Sequence, residues 1–448
     1  MVLATAAIAL PGTGAALPFK DFETVSTTGG DADLDVAPDG SAVIVWEDSR
    51  DVEGEPSNSI LVQLSAADGS SGKPVEVDAD TGQNADPVVE LAPDGTATVV
   101  WAAYKANALK AARVAPDGSV SALPSTDLHG TLDVPGVQTL LEPSGAIAVA
   151  WQETNDHETH RLKAVQLGAD GTWGPAHTLL ENEDYRALDA GLQPAGDGAA
   201  TVVWTDVNDS KETDVELRAA RLLSDGTLGE IQFLADRAGS DLDLFDDFAV
   251  AGRRVLFTAN EHKNRAGDEV KLRMVTVGDD GEALAPAEVI DSVSSPYAGF
   301  YDLDAAVDES GVTTVVWSSR ENGPSHPRSR IEALRIDDAG VVDRLGAISR
   351  KDRSRSTDPV VTATRPHQSE IVWTRAKKGD KRQLGAAKIR ATGAIRRQRF
   401  AGADVGEGLR DLHAAADGSG RVRITFQTAR PSDEHDEKSG GLMTSRSR

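Results

Sequence analysis

A chain of 448 residues would ordinarily divide into two or three domains, unless repetition lets one architecture grow by equal units. With 72 acidic against 46 basic residues the formal charge is −26, which disfavours general binding to nucleic acid or an anionic membrane. The absence of cysteine excludes disulfides, thiolate metal sites and cysteine nucleophiles, while 42 glycines, 20 prolines and only 4% aromatics suit short strands and many turns.

Residues 2–17, VLATAAIALPGTGAAL, form an uncharged run of small apolar residues ahead of Lys20. The run is similar to the hydrophobic and cleavage regions of a secretory signal whose basic start is missing. Residues 1–18 are therefore expected to be a truncated export signal or a disordered leader, and the protein to be secreted or held in the cell envelope. An ordered first strand is the alternative. No later segment approaches the roughly 18–20 apolar residues of a membrane span.

From there one strand recurs eight times: SAVIVW (41–46), TATVVW (96–101), AIAVAW (146–151), ATVVW (200–204), RVLF (254–257), VTTVVW (312–317), SEIVW (369–373) and RVRITF (421–426). Its closing aromatics, Trp46, Trp101, Trp151, Trp204, Phe257, Trp317, Trp373 and Phe426, stand 50 to 60 residues apart, which leaves room for four strands per unit. The recurrent strand is apolar on both sides of its pleat, Val43 and Val45 on one and Ile44 and Trp46 on the other, as a strand covered on both faces must be.

A tight turn precedes most copies: Asp39-Gly40, Asp94-Gly95, Ser144-Gly145, Asp197-Gly198, Ser310-Gly311 and Asp417-Gly418. The fifth and seventh copies depart, with Gly252 and His367-Gln368-Ser369 instead. A second turn follows at Asp68-Gly69, Asp117-Gly118, Asp170-Gly171, Asp225-Gly226, Asp280-Gly281, Ala339-Gly340 and Thr392-Gly393. The eighth unit has a third strand near 438–446 but no fourth, and residues 19–27, FKDFETVST, read as a fourth strand without a unit.

Residues 19–448 are thus expected to form a single all-β domain, an eight-bladed β-propeller of four-stranded blades closed by the N-terminal strand. Seven blades plus an extra hairpin is the alternative. The pattern resembles bacterial exported β-propeller repeat proteins with a PDG-then-VVW hairpin, over roughly residues 20–448, and the resemblance implies an architecture only. Asp170-Gly171-Thr172-Trp173 faintly resembles the Asp-box of sialidases, but other units lack its tryptophan and no arginine triad accompanies it.

The Asp-Gly turns all fall on one face, so function is sought among the longer, irregular loops of the other. Arg320, Arg328, Arg330, Arg350, Lys351, Arg353, Arg355, Arg375, Lys377, Lys378, Lys381 and Arg382 there meet only Glu321, Asp352, Asp358 and Asp380, a local charge of +8. Such a sector would suit an acidic glycan or other anionic polymer. Equally, its side chains would be solvated or paired with acidic stretches such as 431–437, PSDEHDE. Tyr297, Phe300 and Tyr301, with Phe245 and Phe248, would stack on sugars or anchor a protein, or else plug a long loop.

Asp31, Asp86, Asp189, Asp302 and Asp358 lie near the starts of first strands. A ring of such carboxylates would suit Ca²⁺, but Asx-type capping is the plainer role, and no cofactor is expected. Asp156-His157-Glu158-Thr159-His160 has ligand-type residues in a loop without helical spacing, and no Gly-x-Ser-x-Gly elbow or phosphate-binding glycine loop occurs.

The sequence therefore points to a non-catalytic, monomeric exported binding scaffold whose partner is an extracellular or envelope glycan or protein. The alternatives are a glycoside hydrolase or polysaccharide lyase using carboxylates such as Asp302 or Asp304 with Arg320 or Tyr301 near the channel, and a structural spacer.

Overall fold

In the recurrent strands Val43, Ile44, Val45 and Trp46 are all at most 1% exposed, and the corresponding strand Ala97–Ala103 is buried along its whole length. A strand hidden on both faces needs a sheet to either side, and the computed structural model supplies eight antiparallel sheets arranged in a ring. It describes residues 19, 22–52, 55–78, 84–155, 159–182, 185–195, 198–208, 215–235, 242–243, 247–261, 269–294, 299–321, 328–349, 355–376, 382–398, 409–428 and 442–447. The expected leader, 1–18, lies outside these.

Blades 1 to 7 run in chain order over 29–78, 84–127, 131–182, 185–235, 242–294, 300–347 and 355–398. Blade 8 takes three strands from 409–446 and its outermost strand from Glu23–Ser26, which pairs antiparallel with Leu442–Arg446. The protein is an eight-bladed β-propeller, and the N-terminal strand closes the ring. Two blades depart from four continuous strands. The outer strand of blade 2 is split into Val120–Ala122 and Thr126–Asp127, and the inner strand of blade 5 into Leu242–Asp243 and Phe248–Ala251.

Each neighbouring pair of blades shares its own apolar cluster. Val43 and Val45 face blade 2 with Val89, Leu91 and Trp101, whereas Ile44 and Trp46 face blade 8 with Leu442. The closing aromatic of every unit packs toward the preceding blade in this way, so the eightfold sequence repeat is a repeat of interfaces. Trp373 is served by a close approach: it pairs with Gly385, where a Cβ would lie 2.2 Å from the indole. At the seam, Phe19 is fully buried with Leu409 and Phe426, and Phe22 meets Phe426 edge-on with ring centroids 5.1 Å apart.

The turns close as the sequence predicts, with one correction. In blade 8 the residue in the left-handed region is Gly420 (φ 75°), not Gly418, because Asp417 occupies the position that Ala37 holds in blade 1. Asp417 there accepts from the amides of Ser419 and Arg421. In the regular turns the aspartate accepts from the amide and hydroxyl two residues on, as Asp39 does from Ser41 and Asp68 from Ser70. These bonds hold the carboxyls of Asp39 and Asp68 below their ordinary range.

Guanidinium groups, those of Arg254, Arg335 and Arg423 buried and that of Arg365 exposed, fasten blades near this turn face. Arg254 of blade 5 is 9% exposed and donates to the carbonyls of Gly311, Ile336 and Asp337 and to Thr313 Oγ1 in blade 6. Arg335 donates to His367 O, Arg365 to Ser419 O, and Arg423 to Ser65 Oγ across the seam.

Candidate functional site

Inner strands line the central channel, and their aspartates fall into two sets. The first sits at a bulge. Asp86, Asp302, Asp358 and Asp411 have φ between 45° and 53°, each inside a register shift between inner and second strand, and Gly136 holds that place in blade 3. The side chain just after the closing aromatic then satisfies the aspartate. Ser318 Oγ donates to Asp302 at 2.6 Å and Thr374 Oγ1 to Asp358 at 2.6 Å; in blade 3, where the bulge residue is Gly136, Gln152 Nε2 donates instead to Asp133 at 3.2 Å.

The second set bridges blades. Asp33 and Asp35 of blade 1 accept from the amides of Val89 and Leu91 in blade 2, at 2.9 and 2.8 Å. Asp304 of blade 6 accepts from Val361 N of blade 7 at 2.7 Å, and burial lifts its carboxyl to about 6. Asp189, at the register shift of blade 4, instead accepts from Ala190 of its own strand, and burial lifts it to about 7. Both carboxylates named for a hydrolase or lyase, Asp302 and Asp304, are therefore engaged in holding blades 6 and 7 together. The aspartates do not converge as a Ca²⁺ ring: among the described residues no three His, Asp or Glu side chains are placed to hold a metal ion.

The channel opens into a cavity of about 670 Å³ between blades 8, 1, 2 and 3. Its wall carries Asp31, Asp33, Asp35, Asp86, Glu90 and Asp411, with His413 as the one basic side chain. Burial, then the charge of Asp35, pushes Glu90 up to about 8, and burial followed by Asp31 raises Asp86. Beside this wall stands Glu47, on the second strand of blade 1 and 9% exposed. Burial, then Asp31 and Asp86, pushes it to about 8. Tyr104 donates to Asp86 across 3.3 Å, and burial with that carboxylate raises the phenol above its ordinary range.

Sequence reasoning missed Glu47, although a signal was present. The residue after the closing aromatic is Glu47, Ala102, Gln152, Thr205, Thr258, Ser318, Thr374 or Gln427, and only the first is charged.

The basic sector is partly described. Arg320 pairs with Ser329 and Arg330 with Ser319 in blade 6, while Arg375 pairs with Ser356 and Arg355 with Ala376 in blade 7. With Arg328, opposite Glu321, these five arginines are carried to the same end of two adjacent blades. Arg330 lies 3.7 Å from Glu332, and Arg382 donates to Leu409 O, a bond to blade 8. Arg350, Lys351, Arg353, Lys377, Lys378 and Tyr297 lie outside the described residues, as do Phe245 and Asp156-His157-Glu158.

Phe300 corrects the aromatic proposal. It is 1% exposed and packs on Trp317 with centroids 5.3 Å apart, so it belongs to the core and cannot stack on a sugar. Tyr301 is half-buried at the next position, and Phe248 packs between blades 4 and 5. His160 is 9% exposed with Nδ1 2.9 Å from Asp133. Trp173 donates to Pro124 O of blade 2, so the residues like an Asp-box join two blades.

No family model matches the chain, and no curated protein matches it. Among solved structures it is similar to puromycin hydrolase in an S511A mutant complexed with PGG, at 13% identity and a TM-score of 0.46 over 91% of this chain. The chain spans 60% of the length of that protein. It is similar to polysaccharide lyase Uly1 at 10% identity and a TM-score of 0.49, over 98% of this chain and 94% of that one. The β-propeller domain of the trilobed protease from Pyrococcus furiosus, described as having an open velcro topology, is 10% identical with a TM-score of 0.43, over 83% of this chain and 97% of that one. These are similarities of architecture.

Proposed function

We propose that this propeller is a non-catalytic interaction scaffold that engages an anionic polymer or acidic partner through the irregular-loop face of blades 6 and 7. The observation that carries the reading is the gathering of Arg320, Arg328, Arg330, Arg355 and Arg375 at one end of adjacent blades in a chain of net charge −26. Clustered guanidinium groups attract polyanions and select planar carboxylate or phosphate groups by paired hydrogen bonds. The opposite face is occupied with itself, because its turn aspartates bind the hydroxyls and amides of their own turns. The apolar run 2–17 supports an exported location, where an acidic glycan is available as partner.

The test is titration of the full chain with a sulfated or uronic-acid oligosaccharide at about 50 and 200 mM salt, beside an Arg355→Ala/Arg375→Ala variant. Ionic contacts predict binding that weakens steeply with salt and further in the variant. Absence of binding at low salt would remove the proposal.

A further inference from the structure

Blade 1 departs from the pattern of blades 6 and 7. Where Ser318 and Thr374 present hydroxyls to the inner-strand aspartates of blades 6 and 7, blade 1 presents the carboxyl of Glu47. Glu47 is 9% exposed and makes no hydrogen bond or ion pair with any described residue, and Asp31 makes none either. Burying an ionised carboxylate without a donor or counter-charge is costly, and Glu47 pairs across the strands with Gly30, next to Asp31, so that the charges of Asp31 and Asp86 add to that cost. The nearby Asp48 does not relieve this, since it already accepts from Ser26 and Thr28. Nor does the channel wall, where Asp33 and Asp35 are bound to blade 2, His413 lies 3.7 Å from Asp33, and no lysine or arginine is present.

Such a site takes either a proton or a cation. We infer that the cavity at the channel mouth, walled by Asp31, Asp33, Asp35 and Asp86 with the buried Glu47 beside it, binds an alkylammonium group, from a free polyamine or a lysine side chain. Carboxylate oxygens spread along this wall accept the hydrogen bonds that ammonium groups donate. The acidic wall is also extended: Asp31, Asp33 and Asp35 recur at alternate positions, about 6.6–6.8 Å apart along a strand. That layout follows an elongated polycation, and no three acidic side chains among the described residues converge on a point as a metal requires. Bound ammonium replaces the proton that Glu47 otherwise retains, so binding releases protons.

This site is separate from the arginines of blades 6 and 7, and either can fail without the other. Calorimetric titration of the full chain with spermidine, trilysine and calcium chloride, near neutral pH in two buffers of different ionisation enthalpy, tests it. The expected result is saturable binding of spermidine, trilysine or both with proton release. Glu47→Thr, which restores the hydroxyl found in blade 7, is expected to keep or raise the thermal midpoint while weakening binding about tenfold. Glu230→Gln, an exposed change on the outer part of blade 4, is expected to leave it unaltered. Four outcomes overturn the inference: neither amine binds, Glu47→Thr binds as well as the parent, Glu230→Gln weakens binding equally, or calcium alone occupies the site.

Discussion

Replacing Phe19 with alanine is expected to loosen the whole ring, because that side chain fastens its last seam. Phe19 is fully buried, bridges to Ser447 and packs with Leu409 and Phe426. Removing a buried phenylalanine forfeits its transfer free energy and leaves a cavity, together about 3–5 kcal/mol. The strand it anchors, Glu23–Ser26, has only three registered partners on Leu442–Arg446, too few to hold without the apolar anchor. The assay is the denaturant midpoint by tryptophan fluorescence, with Leu284→Ala as control. Leu284 is 62% exposed, so its truncation should cost no more than about 0.5 kcal/mol. Phe426→Ala should combine with Phe19→Ala less than additively, since both empty one cluster. If Phe19→Ala unfolds at the same denaturant concentration as Leu284→Ala, the ring does not depend on this seam and the closure argument fails.

Other consequences can be measured in the same way. Glu47 and Glu90 are both raised to about 8, so their favourable protonated state is intact below about 4.5 and lost as pH rises through 8. Glu47→Gln and Glu90→Gln should therefore raise the thermal midpoint at pH near 8 relative to the parent by more than at pH near 5. Equal effects at both pH values would contradict the assignment. Gly385→Ala drives a Cβ against Trp373 and should cost about 1–3 kcal/mol, less when Trp373→Leu is also present, as read from a double-mutant cycle. Arg254→Met leaves three carbonyls and a hydroxyl of blade 6 without their donor and should cost about 2–3 kcal/mol in urea unfolding. Stability matching the parent would mean that water takes over those acceptors.

The architecture was legible because the propeller writes itself into local sequence. An apolar strand ending in an aromatic is the interface between blades, and Asp-Gly is the turn that returns the chain. Even the departures at Gly252 and His367 proved to be two-residue turns with φ of 59° and 56°. The eighth turn was misplaced by two residues because Asp417-Gly418 and Ser419-Gly420 are both plausible turn pairs, and only the pairing of Asp417 with Arg421 chooses between them. The site was less legible. Phe300 looked like a loop aromatic because its partner Trp317 is distant along the unit, and the engagement of Asp302 and Asp304 depends on amides of the next blade. The carboxylates of the channel mouth belong to different blades, so no spacing in the chain announces them. Glu47 was visible only once the eight copies are aligned on their aromatics and the following residue compared.

The two-site proposal puts an anion site on blades 6 and 7 and a cation site at the channel mouth beside blade 1. Its most direct measurement is competitive titration of the full chain with an acidic oligosaccharide and with spermidine, using the parent, Arg355→Ala/Arg375→Ala and Glu47→Thr. The arginine variant is expected to lose affinity for the oligosaccharide alone and the Glu47 variant for spermidine alone. Parallel losses for both ligands in both variants, or no binding of either, would contradict it.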